Sequence, residues 1–410
     1  MPSGSGARFD ALNAVMTAVS LTAFGFKTSM LMNLKNLLHL SPNRNDGKKV
    51  RYAVVGAGWI AQEDFMPGVA HTGNSVLSAI ISGDAEKADL LAIKYGLEHV
   101  YSYDRFDEAL RSGNFEAIYL AVPNSQHRDF AVRALDAGIH VLLEKPMAPT
   151  VDDCLAIIAA SERSGAKLMI AYRLHFDEAT LQAIDTIQSG KIGEPRIFSS
   201  VFGQQVSALN SRTEAAHWAG PLPDMGPYPI NAARMFFNAE PTEAFAQAAS
   251  LPQARFAEVE EMISVILRFP GERLAQFVVS YGTNPVNECR VIGANGDLRL
   301  SPAYAYDIPI EQWLTIGEKT EHTKFNQRDQ FGGETKYFSD CILDNKHPEP
   351  DGNEGLADVR VIKAIEKSFR TSQPVPIQGG GVHASPGKEQ VMKLPAVSPG
   401  ELIHAAPPEK

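Results

Sequence analysis

Lys145, Asp224 and Tyr228 carry the most chemistry in this 410-residue chain. Lys145 lies in Glu144-Lys145-Pro146, directly after the apolar run Val141-Leu142-Leu143. Such a run reads as a buried strand, and a strand ending in a charge pair delivers an ammonium to whatever binds beyond it. An isolated Glu-Lys pair is ordinarily a surface salt bridge. Position at a strand end favours Lys145 as a group that holds a hydroxyl and stabilises its developing alkoxide. Asp224 and Tyr228 are four residues apart around Gly226-Pro227, which reads as a helix start with proline in first position. Taken alone they are a helix-initiating carboxylate and a core aromatic. An ammonium beside a phenol favours its ionised form, which would make Tyr228 a usable proton acceptor.

The second partner in such chemistry is written in the stretch from Tyr52 to Ala61, an apolar strand, a glycine turn and a helix start. Gly56 permits the tight turn, Gly58 lets the backbone approach phosphates, and Ala61 packs helix on strand. Trp59 and Ile60 open a helix whose N-terminus suits a pyrophosphate. The pattern is weak alone and gains weight from the strand-helix units that follow. After the second strand come Ser82, Gly83 and Asp84, then Lys87 one turn on. A hydroxyl plus an ammonium suits a 2′-phosphate, so NADP is expected over NAD. The alternative is that Ser82 caps the helix and Asp84 serves the ribose, which restores NAD. Pro123 ends a further strand and bends the chain along the cofactor, and Asn124 or Ser125 can cap the next helix. His127 reads first as a surface or capping histidine, and second as a direct cofactor contact.

These groups need a scaffold. From Lys49 to Tyr172 short apolar strands alternate with helices closed by Gly96, Gly138 and Gly165, the mark of a parallel sheet covered on both faces. Beyond Asp177 the rhythm changes to long β-type runs, the last crossing an Asn295-Gly296 turn. The expected architecture is an α/β Rossmann domain over 49–172, then an α+β domain with a large, mainly antiparallel open sheet over 173–377. The crevice between them is the expected site. Residues 1–48 read as a disordered extension or a weak leader, and 378–410 as a flexible tail. A location in the cytoplasm is expected, with export the alternative.

Composition narrows the partners. The chain is 44% hydrophobic with a net charge of −10 and no long basic run, which argues against nucleic acid or an anionic membrane. Cys154, Cys289 and Cys341 are scattered, so neither a disulfide framework nor a metal site is expected. No run approaches the ~20 apolar residues of a transmembrane span.

Gly56-x-Gly58-x-x-Ala61, Pro123-Asn124-x-x-His127, Glu144-Lys145-Pro146, Tyr172-Arg173-Leu174-His175-Phe176 and Asp224-x-x-x-Tyr228 together resemble the glucose–fructose oxidoreductase/inositol dehydrogenase (Gfo/Idh/MocA) family, over about Lys49 to Val375. Within it the chain is most similar to the glucose–fructose oxidoreductase branch. The resemblance implies NAD(P)-dependent oxidation or reduction of a sugar or polyol, by a homodimer or homotetramer. It implies Ser82, Gly83 and Lys87 at an NADP phosphate, Glu144, Lys145 and Arg173 beside the cofactor, and Lys145, Asp224 and Tyr228 as the catalytic set. There are departures: no twin-arginine leader, and one glycine in Trp218–Pro223 where relatives often have two or three. Trp218 is open to stacking on a sugar or to packing between domains. A non-catalytic NADP-binding sensor and a nicotinamide-dependent glycosidase are the rival functions.

Overall fold

The computed structural model describes residues 47–408 except 209, 380–384 and 399. Of the extension expected over residues 1–48, the first 46 lie outside them.

The first sheet contains β1 (Val50–Val55), β2 (Ser75–Ile81), β3 (His99–Tyr101), β4 (Ala117–Leu120), β5 (His140–Leu143) and β6 (Leu168–Ile170). All pairs are parallel, in the order β3-β2-β1-β4-β5-β6. Its strands are nearly all apolar because helices cover both faces. The helices are α1 (59–69, with a π-helical turn at Ala61–Phe65), α2 (Ala85–Tyr95), α3 (Phe106–Arg111), α4 (His127–Asp136) and α5 (Val151–Ser164). Thr150 caps α5 by accepting from Asp153 N, and Gly165 closes it with φ 73°.

α6 (Glu178–Gln188) leads to the second sheet through β7 (Pro195–Gln205), α7 (Pro221–Met225) and α8 (Pro227–Phe237). The further strands are β8 (Glu243–Ala249), β9 (Met262–Phe269), β10 (Arg273–Ser280), β11 (Gly282–Gly293), β12 (Gly296–Leu300), β13 (Glu311–Ile316), β14 (Lys319–Lys324) and β15 (Val375–Pro376), with α9 (Gln330–Leu343) and α10 (Gly352–Thr371) before the last. The order is β14-β13-β12-β11-β7-β10-β9-β8-β15, antiparallel except where β7 meets β10. One face buries Phe198, Val265, Phe277 and Val291 against Ile184, Ile230, Phe236 and Ile362 of the helices. The other leaves Ile197, Val201, Ile266 and Leu274 exposed.

Three features depart from expectation. β14 (Lys-Thr-Glu-His-Thr-Lys) is exposed at every residue and has no apolar alternation to announce a strand. α9 opens on Phe331-Gly332-Gly333, which hides its helical period, yet Asp329 caps it by accepting from Gly332 N at 2.6 Å. This helix also packs on the first domain: Phe338 shares a core with Tyr52, Val54 and Phe65, and Ser339 bonds the Tyr52 hydroxyl at 2.8 Å. α9 thus contributes to the core of the first sheet although it follows the second sheet in the chain. Described residues of the run expected as a flexible tail bond to the rest of the chain: Met392 N donates to Phe176 O and Asp329 N to Leu394 O. Its Gly, Pro and Ser content suggested mobility, but Val391, Met392 and Ile403 give it apolar groups that pack on the cores.

Candidate active site

At the glycine turn, Gly56 has φ 90° and donates to Ile81 O. A β-carbon there would lie 2.6 Å from Ala121 O, so only glycine fits; the space above Gly58 is clear to 4 Å. The first helical bond runs from Gln62 N to Gly58 O, which leaves the N–H groups of Trp59, Ile60 and Ala61 without a partner inside α1. Trp59 Nε1 is buried with no partner either. An open backbone cradle facing orphan donors fits the pyrophosphate of a dinucleotide.

At the end of β2 the capping residue is Asp84, not Ser82. Asp84 Oδ1 accepts from Lys87 N at 3.0 Å, and Ser82 Oγ accepts from Asp84 N at 3.1 Å. The other oxygen, Oδ2, pairs with His404 Nδ1 at 3.1 Å. Each carboxylate oxygen of Asp84 thus already accepts from one donor within the chain. Gly83 packs against Tyr103, and Lys87 stands half-exposed on the first turn of α2.

Beyond β4, neither Asn124 nor Ser125 caps a helix. After Pro123, Asn124 Nδ2 donates instead to Trp218 O at 3.0 Å, which ties the two halves of the crevice together. His127 is corrected from a surface or cofactor-contacting residue to an enclosed one. It is fully buried, with Nδ1 3.0 Å from Pro146 O and Nε2 3.0 Å from Val122 O. Burial pushes its pKa down to about 4, so it is a neutral spacer between two loops of the site.

The loop it supports carries Glu144 and Lys145, the latter joined to Pro146 by a cis peptide. Glu144 accepts from Tyr119 Oη at 2.5 Å, and burial raises its carboxyl above the usual range. Lys145 Nζ donates to Asp224 O at 2.7 Å and to Asp224 Oδ1 at 3.3 Å, leaving one N–H for the cavity. Asp224 Oδ2 also accepts from Arg212 Nε at 3.0 Å and Tyr281 Oη at 2.8 Å. Burial opposes charge on Asp224, but Lys145 and Arg212 outweigh it and hold the carboxyl down at about 2. Burial likewise opposes charge on Lys145, and Tyr228, Asp224 and Glu144 together raise its pKa.

Tyr228, on the first turn of α8, has its ring centroid 4.8 Å from Lys145 Nζ. Its hydroxyl accepts from Arg173 Nη2 at 3.1 Å. Arg173 is buried just past β6, bonded also to Gln330 Oε1 and Tyr304 O, with Nε unpartnered. Lys145, Arg173, Tyr228 and Asn231 line one small pocket. The arrangement brings an ammonium and a phenol to the lining of one pocket.

Sequence reading missed Arg212, Tyr281 and Gln330. Tyr281 reads as one more strand residue, and Arg212 sits in an aperiodic loop that carries no signal. Trp218 resolves toward packing: its Nε1 donates to Glu366 Oε1 of α10 at 2.7 Å. Among the described residues no cluster of His, Cys, Asp or Glu is placed to hold a metal, and no helix is long and apolar enough to cross a membrane.

Comparison with known proteins agrees with this geometry. Residues 50–172 match the model of the oxidoreductase family with an NAD-binding Rossmann fold, and 180–299 match the GFO/IDH/MocA C-terminal domain. D-xylose 1-dehydrogenase [NADP(+)] of Haloarcula marismortui is 31% identical over 335 residues, 80% of this chain and 92% of that protein. The aldose-aldose oxidoreductase of Caulobacter crescentus, solved with glycerol, is 35% identical with a TM-score of 0.77, covering 80% of this chain and all of that one. A 3-ketoreductase from Actinomadura kijaniata, solved with NADP and TDP-benzene, shares the fold at 23% identity and a TM-score of 0.73. From the glycine cradle to the pairing of Lys145 with Asp224, the chain belongs to the Gfo/Idh/MocA family of oxidoreductases.

Proposed function

We propose that this chain is an NADP-dependent oxidoreductase acting on a CH–OH group of an aldose or related polyol. Two relatives above 30% identity are named for chemistry on aldoses, and one of them for NADP(+). The observation that carries the reading is that Lys145, just past β5, and Tyr228, on α8, line one pocket with Lys145 Nζ 4.8 Å from the Tyr228 ring centroid. Hydride transfer is the chemistry that a nicotinamide would supply when held beside these residues. Lys145 holds the substrate oxygen through its remaining N–H and stabilises negative charge there. Tyr228 exchanges the hydroxyl proton, with Arg173 bonded to its oxygen. Asp224 fixes Lys145 through two contacts and is itself fixed by Arg212 and Tyr281. Ser82, Gly83 and Lys87 take the 2′-phosphate end, and the cradle at Gly56, Gly58, Trp59 and Ile60 takes the pyrophosphate. Pro123, Asn124 and Glu144 flank the nicotinamide half. The exposed apolar face of the second sheet pairs two copies of the chain.

The test is substitution with binding and turnover read separately. Lys145→Ala and Tyr228→Phe should each lower kcat on an aldose panel by about 10²–10³, the scale for one lost stabilising group. NADPH binding, followed by its fluorescence, should survive both. Full turnover in either variant overturns the assignment.

A further inference from the structure

The last described segment runs from the outer face of the first domain across the end of its cofactor groove. Lys94 Nζ on α2 donates to Glu401 O at 2.7 Å. Two residues on, the backbone of Ile403 is gripped at both of its polar groups by one side chain. Ile403 N donates to Gln62 Oε1 at 2.8 Å, and Gln62 Nε2 donates to Ile403 O at 2.9 Å. Gln62 is 1% exposed, and the same Nε2 donates to Ala57 O, between the two glycines of the phosphate cradle, at 2.9 Å. His404 then meets Asp84 at the end of β2, and Pro408 O accepts from Ser207 N, beyond β7 on the far side of the crevice. The segment therefore touches the phosphate turn, the 2′ end of the ribose groove and the second half of the crevice in turn. His404 keeps a left-handed backbone, φ 44°, to make this course.

We propose that residues 400–408 are a wall of the dinucleotide site: they strap the adenosine end shut, and His404 makes the 2′ pocket accept a phosphate. The proposal rests on the NADP reading above. Asp84 would repel a 2′-phosphate if its charge stood bare beside Ser82 and Lys87. His404 bonds Asp84 Oδ2 while the helix end bonds Oδ1, so both oxygens are held within the chain and turned to donors of its own. Because the strap is held at both ends of the groove, nucleotide exchange requires it to lift.

The experiment compares the full chain with a form ending at Ser398, with Ile403→Pro and with His404→Ala. NADPH and NADH affinities and dissociation rates are followed by nicotinamide fluorescence, and folding by melting temperature. Removal of the strap should raise the NADPH dissociation rate at least tenfold. Ile403→Pro, which deletes the N–H held by Gln62, should do the same if the shortened chain folds poorly. His404→Ala should weaken NADPH at least fivefold and leave NADH within twofold, and adding Asp84→Asn should restore NADPH binding. Dissociation rates within twofold of the full chain in both strap variants overturn the strap, and equal loss of both nucleotides in His404→Ala overturns its phosphate role. If the full chain prefers NADH, the NADP reading fails together with the role of His404, while the strap is still decided by the NADH dissociation rate. If it binds neither nucleotide, both fall.

Discussion

The Arg173 guanidinium reaches the Tyr228 hydroxyl at 3.1 Å, across the seam between the parallel sheet and α8. Lys145 lies over the same ring, so the phenol meets two cations, Lys145 and Arg173. The relationship predicts that Arg173→Lys, which keeps the charge but not the planar fork, lowers kcat by about 10–100-fold. Combined with Tyr228→Phe it should add little, because the two act as one unit. Steady-state kinetics on the four proteins of the cycle checks this; fully additive losses would separate the two residues.

Nucleotide choice gives a second prediction. Lys87→Ala removes the ammonium at the first turn of α2, and NADP+ binding should weaken by about tenfold, about 1.4 kcal/mol. NAD+ binding should change less than twofold. Calorimetric titration of both nucleotides decides it.

A third concerns pH. Burial holds His127 at about 4, against an ordinary value near 6.5. The folded chain keeps the ring neutral, and the unfolded chain takes up the proton more readily. Its contribution to stability is therefore intact above about pH 6.5 and is lost as pH falls toward 4, by roughly 3 kcal/mol in full. His140, also held at about 4 by burial, acts in the same direction. Melting temperature should fall over this window, and His127→Gln should melt lower at pH 7.5 but with a shallower pH slope.

The open sheet face gives the last. Ile197, Val201, Ile266 and Leu274 are each 39–44% exposed on neighbouring strands. Leu274→Glu should shift the chain to monomer in sedimentation experiments while changing its own unfolding free energy by only about 0.5 kcal/mol. An unchanged sedimentation coefficient would remove this face as the pairing surface.

The sequence made the parallel sheet legible because buried strands and glycine-closed helices alternate at short intervals, as at Ala85–Tyr95 with Gly96. It also pointed to Lys145, Asp224 and Tyr228, since strand ends and helix starts are where a fold places chemistry. It did not reveal what holds them. Arg212 and Tyr281 act through tertiary proximity, and nothing in their local pattern links them to Asp224. His127 was visible as a residue but not as a spacer, because enclosure depends on the cis-linked loop folding over it. The strand at Lys319–Lys324 and the helix at Gln330–Leu343 were hidden by polar and glycine-rich composition that only their neighbours compensate.

The return of α9 to the first sheet bears on how this protein could be taken apart or recombined. A fragment stopped at residue 172 would lack Phe338, which fills the space beside Tyr52 and Phe65, and Ser339, which satisfies the Tyr52 hydroxyl. Loss of one such aromatic from a core costs about 3–5 kcal/mol, a large part of a domain's whole stability. A chimera that borrows a relative's sugar-binding half must therefore carry the native Gln330–Leu343 segment with the nucleotide-binding half. Split at the boundary suggested by chain order alone, neither piece would inherit a complete interior.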